Sequence, residues 1–134
     1  MHKLLATAAA TAALSIAVPA LAQDRYQQRS DAEFAELVEG YEAGEATQCI
    51  NVFNGNRVRV VENVGIVYER GDTMWVARVR NPRSLGPWDV PIFERYGSQL
   101  CTHDIRRTVD RSTGMISGIP FFDDFVAYRE VDDA

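Results

Sequence analysis

RVRVVENVGIVYERGDTMWVARVR, residues 57–80, holds three Val-rich runs divided by two turn signals. Arg57 to Val61 alternates Arg and Val before Glu62-Asn63, and Gly65 to Glu69 forms a second run. Arg70-Gly71-Asp72 then turns into Thr73 to Arg80. β-Branched residues at a period of two, bounded by Asn, Gly and Asp, predict consecutive antiparallel strands. Arg70-Gly71-Asp72 also spells an adhesion tripeptide, but Gly-Asp is what a tight hairpin requires, and it is read here as the turn.

The same grammar extends outward. Upstream, Cys49 to Phe53 reads as a strand closed by the turn pair Asn54-Gly55. Downstream, Asn81 to Pro91 contains Pro82, Gly86, Pro87 and Pro91 and reads as a long loop. Ile92 to Tyr96 and Gln99 to Val109 resume extended structure, Asp110 to Gly114 is a turn, and Phe121 to Val131 is an aromatic closing segment. Before the strands, Ser30-Asp31-Ala32-Glu33 matches a capping box. Phe34, Leu37, Val38 and Tyr41 then place one apolar stripe on a helix that Gly40 or Gly44 ends. The expected fold is α+β: one N-terminal amphipathic helix and an antiparallel sheet or small open barrel of about five to seven strands.

Residues 1–22 read as a signal peptide. Met1-His2-Lys3 is a positive start, Leu4 to Val18 is uncharged and Ala/Leu-rich, and Pro19 precedes the small-x-small triplet Ala20-Leu21-Ala22. Cleavage after Ala22 leaves residues 23–29 as a polar leader and 30–134 as one globular domain, periplasmic or secreted. No other apolar segment reaches spanning length, so no membrane insertion is expected after cleavage. The chain carries a net charge of −5, and its one lysine lies in the signal, so the mature form is one unit more negative and all its basic side chains are Arg. Nucleic-acid binding requires a positive surface and is not expected.

Cys49 and Cys101 are the only cysteines. In an oxidising compartment two thiols in a small domain predict a disulfide, against the alternatives of buried free thiols or metal and catalytic use. Closing a loop of about 53 residues, the bridge contributes roughly 4 kcal/mol in the chain-entropy model.

Within QLCTHD, residues 99–104, a thiol, an imidazole and a carboxylate are neighbours. Strand alternation puts Cys101, His103 and Ile105 on one face and Asp104 on the other. His103 is the only histidine beyond the signal. A zinc site drawn from Cys49, Cys101, His103 and a carboxylate, or a Cys–His nucleophile, is the alternative, and the disulfide opposes it. No G-x-S-x-G elbow occurs. Asp123-Asp124 with Asp110 or Glu94 could form a paired-carboxylate site, but adjacent acids before an aromatic strand read as a solvated turn. Arg57 with Arg59, and Arg78 with Arg80, each put two guanidinium groups on one strand face. With Arg106-Arg107 they could bind an anion, against the plainer reading of an outer sheet face balanced by Glu62, Glu69 and Asp104. Trp75 reads as core. Trp88 reads as packing the Pro-rich loop onto the domain, with a partner contact as the alternative.

Cys49-Ile50, Val61 to Tyr68, Leu100-Cys101-x-x-Asp104 and Gly114 to Phe121 together resemble an uncharacterised family of small exported bacterial proteins. The resemblance covers roughly Cys49 to Tyr128 and brings no activity with it. Proteins of that family tend to carry one cysteine in the central loop and another near the late glycine, where this chain has Asn81 to Gly86 and Met115 to Gly118. The resemblance therefore implies that Cys49–Cys101 is the retained pair, and that a four-cysteine metal site is absent.

The expectation is an exported, non-enzymatic binding or structural domain of the cell envelope with no cofactor. Its candidate ligand contacts are Arg57, Arg59, Arg78, Arg80, Trp88 and His103, and its partner an envelope component or small anion. The alternatives are an enzyme or metal protein built on Cys101 and His103, and an anion or envelope-polymer binder using the Arg-rich faces.

Overall fold

The computed structural model describes residues 20–132, so most of the expected signal segment lies outside the described residues. The described residues form one α-helix, α1 (Ala20–Leu37), three short 3-10 turns and ten strands: β1 (Tyr41–Thr47), β2 (Cys49–Asn51), β3 (Val58–Val61), β4 (Gly65–Arg70), β5 (Thr73–Arg78), β6 (Asp89–Phe93), β7 (Gln99–Cys101), β8 (Ile105–Asp110), β9 (Ile116–Gly118) and β10 (Phe125–Glu130). They form three antiparallel sheets, ordered β1-β10-β5-β4-β3, β2-β7 and β6-β8-β9. The strands outnumber the expected five to seven, and the sheets do not close into a barrel.

Residues 57–80 form β3, β4 and β5 in the expected meander. Gly71, at φ +62°, makes the tight turn between β4 and β5. The large sheet is covered on both faces. Val67, Met74 and Val76 face α1, where Val64 beside them and Phe34, Leu37, Val38 and Tyr41 complete the packing. Ile66, Tyr68, Ala77 and Phe125 face the other way and share a core with Ile50, Leu100 and Ile105 of the smaller sheets. Burial on both faces explains why β4 reads as a continuous apolar run from Gly65 to Tyr68. Trp75 packs partly buried against this second core, as expected.

α1 ends as the sequence indicates, with Gly40 at φ +81° just beyond it. Its start does not. Ser30 lies inside the helix, fully buried, and its hydroxyl accepts from the Arg78 guanidinium at 2.8 Å. The apparent capping box is thus a clamp between helix and sheet. Arg78 also pairs with Asp31 at 2.8 Å and lies 4.5 Å from the centre of the Phe34 ring. Its hydrogen bond holds the Asp31 carboxyl below the usual carboxylate range, with Gln27 adding a second. Residues 23–29, read as a loose leader, belong to the same helix, and Tyr26 stacks under Arg83 at 4.8 Å.

Two other departures have local causes. Pro91 lies within β6, an edge strand paired only with β8, where the missing N–H is tolerated. The expected single strand over Gln99 to Val109 is interrupted by a 3-10 turn, Thr102–Asp104. There the Cys101 N–H donates to Asp104 Oδ2 at 2.9 Å, and the short acidic side chain diverts the backbone from its ladder. The chain changes sheets at this turn, from β7 paired with β2 to β8 paired with β6.

Candidate functional site

Cys49 and Cys101 stand directly opposite each other in the β2–β7 ribbon and are joined by a disulfide. Thr102 N donates to Gln48 O at 3.0 Å, so the cysteines occupy a non-hydrogen-bonded pair, the register in which cross-strand side chains come closest. Both thiols are used, and no free cysteine remains.

The 3-10 turn after Cys101 forms one wall of a cleft of about 390 Å³. Gln48, Thr102 and His103 lie on that wall, followed by Ile105 and Arg106 at the start of β8. Arg80 and the segment Ile119 to Phe122, with Asp124, complete the wall of the cleft. The backbone fixes this wall: Arg80 N donates to Phe121 O at 2.9 Å, and Asp123 N donates to Arg78 O at 2.8 Å. Alternation along the segment then buries Phe122 in the core and leaves Phe121 67% exposed. Ile119 is equally exposed, as are Met115 and Ile116 at the start of β9.

Charge in the cleft comes from Arg80, Arg106, Asp124 and, when protonated, His103. Arg80 pairs with Asp123 at 3.1 Å, and both side chains are mostly exposed. Among the described residues Arg106 and Asp124 make no ion pair. His103 is exposed, with Nδ1 3.3 Å from the Gln48 amide and Nε2 3.6 Å from Asp104 Oδ1. Asp104 is thus beside His103 and Cys101, not across the strand from them. The alternation expected over residues 99–109 fails because the chain turns there, and one ligand atom from each of Cys101, His103 and Asp104 falls within 4.8 Å of the others.

The structure distributes the arginines singled out from the sequence. Arg59 lies on edge strand β3, paired with Glu69 at 2.9 Å. Arg78 is held under α1. Arg57 borders a separate groove with Phe53, Tyr68 and Arg70, where the Arg70 guanidinium lies 4.5 Å from the Phe53 ring centre. Only Arg80 joins His103, and Arg106 is beside them. Trp88 is 62% exposed, so its ring does not pin the loop as expected. The loop is pinned instead by Leu85, buried in the core, and by its backbone, with Arg111 N donating to Trp88 O at 2.9 Å.

The acids separate as well. Asp110 caps the turn between β8 and β9, accepting from the amides of Ser112 and Thr113 and from the Ser112 hydroxyl, and these bonds hold its carboxyl below the usual range. Asp124 lines the cleft, with no second carboxylate among the lining residues. Gln48, Ile119 and Phe121 are cleft residues that motif reasoning passed over. The available signal was Ile119-Pro120-Phe121, an apolar stretch broken by proline in a polar, acidic chain. No protein-family model matches the chain, and neither a curated protein nor a solved structure is significantly similar to it.

Proposed function

We propose that this chain is an exported, disulfide-stapled binding domain of the cell envelope, acting without covalent chemistry through the cleft between the Thr102–Asp104 turn and the Ile119–Phe122 segment. The observation that carries the reading is the Cys49–Cys101 bridge. A cross-strand staple is how small domains use cysteine in an oxidising compartment, and it denies His103 a thiol nucleophile. The mature chain begins at Gln23 in this reading, which shortens α1 by three residues and leaves its Ser30, Asp31 and Phe34 contacts intact. No helix among the described residues is long and apolar enough to cross a membrane.

The cleft chemistry suits a small anion with an apolar flank. Arg106 and His103 offer donors to a carboxylate or phosphate, and Ile119 and Phe121 offer exposed apolar area beside them. This narrows anion binding from the Arg-rich strand faces to one place. Titrating the mature protein with N-acetylphenylalanine, which carries both groups, is expected to shift the amide resonances of Thr102, His103 and Phe121. Arg106→Ala should weaken that binding about tenfold, the loss of one charge-assisted hydrogen bond. Shifts confined to other parts of the fold, or an unchanged affinity in Arg106→Ala, contradict the assignment.

A further inference from the structure

We propose that reduction of the Cys49–Cys101 bridge converts the staple into a four-ligand site for a thiophilic divalent cation, zinc above all, formed by both thiolates, His103 and Asp104. The 3-10 turn places a sulfur of Cys101, a ring nitrogen of His103 and a carboxylate oxygen of Asp104 within 4.8 Å of one another. The Cys49 sulfur, bonded to that of Cys101, is the fourth donor. Two sulfurs, an imidazole and a carboxylate fit a borderline-soft ion that prefers tetrahedral coordination.

One ligand spacing already fits that coordination. Zinc bonds of about 2.0–2.3 Å place neighbouring ligand atoms roughly 3.3–3.8 Å apart. His103 Nε2 and Asp104 Oδ1 already stand at 3.6 Å. The two sulfurs must part by roughly 2 Å to reach the same spacing, which rotation about the Cα–Cβ bonds supplies. The supporting contacts are present too. The Cys101 N–H holds Asp104 Oδ2 at 2.9 Å and leaves Oδ1 for the metal. His103 Nδ1 faces the Gln48 amide at 3.3 Å, whose oxygen, with the amide turned, accepts the Nδ1 proton and fixes Nε2 as the ligand. Arg106, which makes no ion pair among the described residues, shares the cleft with His103 and offsets the single negative charge of a zinc ion bound to two thiolates and a carboxylate.

The conversion needs a dithiol reductant. One of its thiolates attacks a bridge sulfur, its second displaces the mixed disulfide, and it leaves as a cyclic disulfide. Two electrons and two protons pass to Cys49 and Cys101. Zinc then binds both cysteines as thiolates and releases those two protons. The site exists only in the reduced chain, so it stands or falls apart from ligand binding by the oxidised cleft.

The test is a titration of the mature protein with Co²⁺, once with the bridge intact and once after dithiol reduction and anaerobic removal of the reductant. The reduced protein is expected to bind one Co²⁺ per chain, with thiolate-to-cobalt charge transfer and the strong visible bands of a tetrahedral site, and to release it to Zn²⁺. The oxidised protein should show neither band. His103→Ala, at an exposed position where folding tolerates it, should weaken zinc binding by at least about tenfold. Should the reduced chain unfold, recovery of its sheet circular dichroism on adding Zn²⁺ supports the site, and failure to recover overturns it. Absence of charge transfer in folded reduced protein, or unchanged zinc affinity in His103→Ala, also overturns it.

Discussion

Replacing both cysteines by alanine is expected to lower the unfolding free energy by about 4 kcal/mol, read as a lower urea midpoint. The bridge spans a sequence separation of 52, and closing a loop of that size removes much of the entropy of the unfolded chain. For a domain of ordinary stability, about 5–15 kcal/mol, that is a large fraction of the total. The effect falls on a vulnerable element. β2 and β7 are three residues each and pair only with one another, and a two-stranded ribbon is marginal by itself. Ile50 and Leu100 anchor it to the core, so loosening the ribbon uncovers apolar surface as well. A loss under about 1 kcal/mol would mean that core packing alone holds β2 to β7.

Gly65→Ala is expected to cost about 3–5 kcal/mol, or to prevent folding. Gly65 opens β4 at φ +154°, a conformation open to almost no other residue. An added Cβ there would stand 2.0 Å from the Ala77 carbonyl oxygen and 2.9 Å from the Arg78 Cα. Those are backbone atoms of the neighbouring strand, so no side-chain rotation relieves the overlap. Gly71 is the internal control. It also has positive φ, but nothing lies within 4 Å of a Cβ built on it. Gly71→Ala should therefore lose only the left-handed penalty of about 1–2 kcal/mol. Equal losses in the two variants, measured by urea unfolding, would contradict the close approach of β4 and β5 at Gly65.

The legible parts of the fold are those where side-chain burial dictates backbone shape. Residues 57–80 announce three strands because β4 is buried on both sides and its turns carry Asn, Gly and Asp. Phe34 and Leu37 announce the end of the helix because that face packs on the sheet, whereas Val38 and Tyr41, expected on the same helical stripe, lie beyond α1, Tyr41 as the first residue of β1. β1 gave no such signal. Its sequence, YEAGEAT, is exposed along nearly its whole length, and it is a strand because its backbone completes the edge of β10. The capping box at Ser30 misled because a buried serine serving Arg78 looks, in one dimension, like a serine serving free helix amides.

The site divides in the same way. Cys49 and Cys101 were readable as partners from their number and the expected compartment, and they are partners. Strand parity separated Asp104 from His103. One backbone hydrogen bond to the Asp104 carboxylate ends the strand and brings the two together. Arg80 and His103 meet only through the tertiary fold, across a wall held by the pairing of Val79 with Phe122. Nothing in their spacing along the chain could have indicated it.

Export and the cysteine staple are read together in the intact mass of the protein recovered from the envelope fraction and alkylated without reduction. The expected mass is that of a chain beginning at Gln23, two hydrogens lighter than its dithiol form and free of alkyl groups. A chain that retains Met1 and carries alkyl groups on both Cys49 and Cys101 would contradict both.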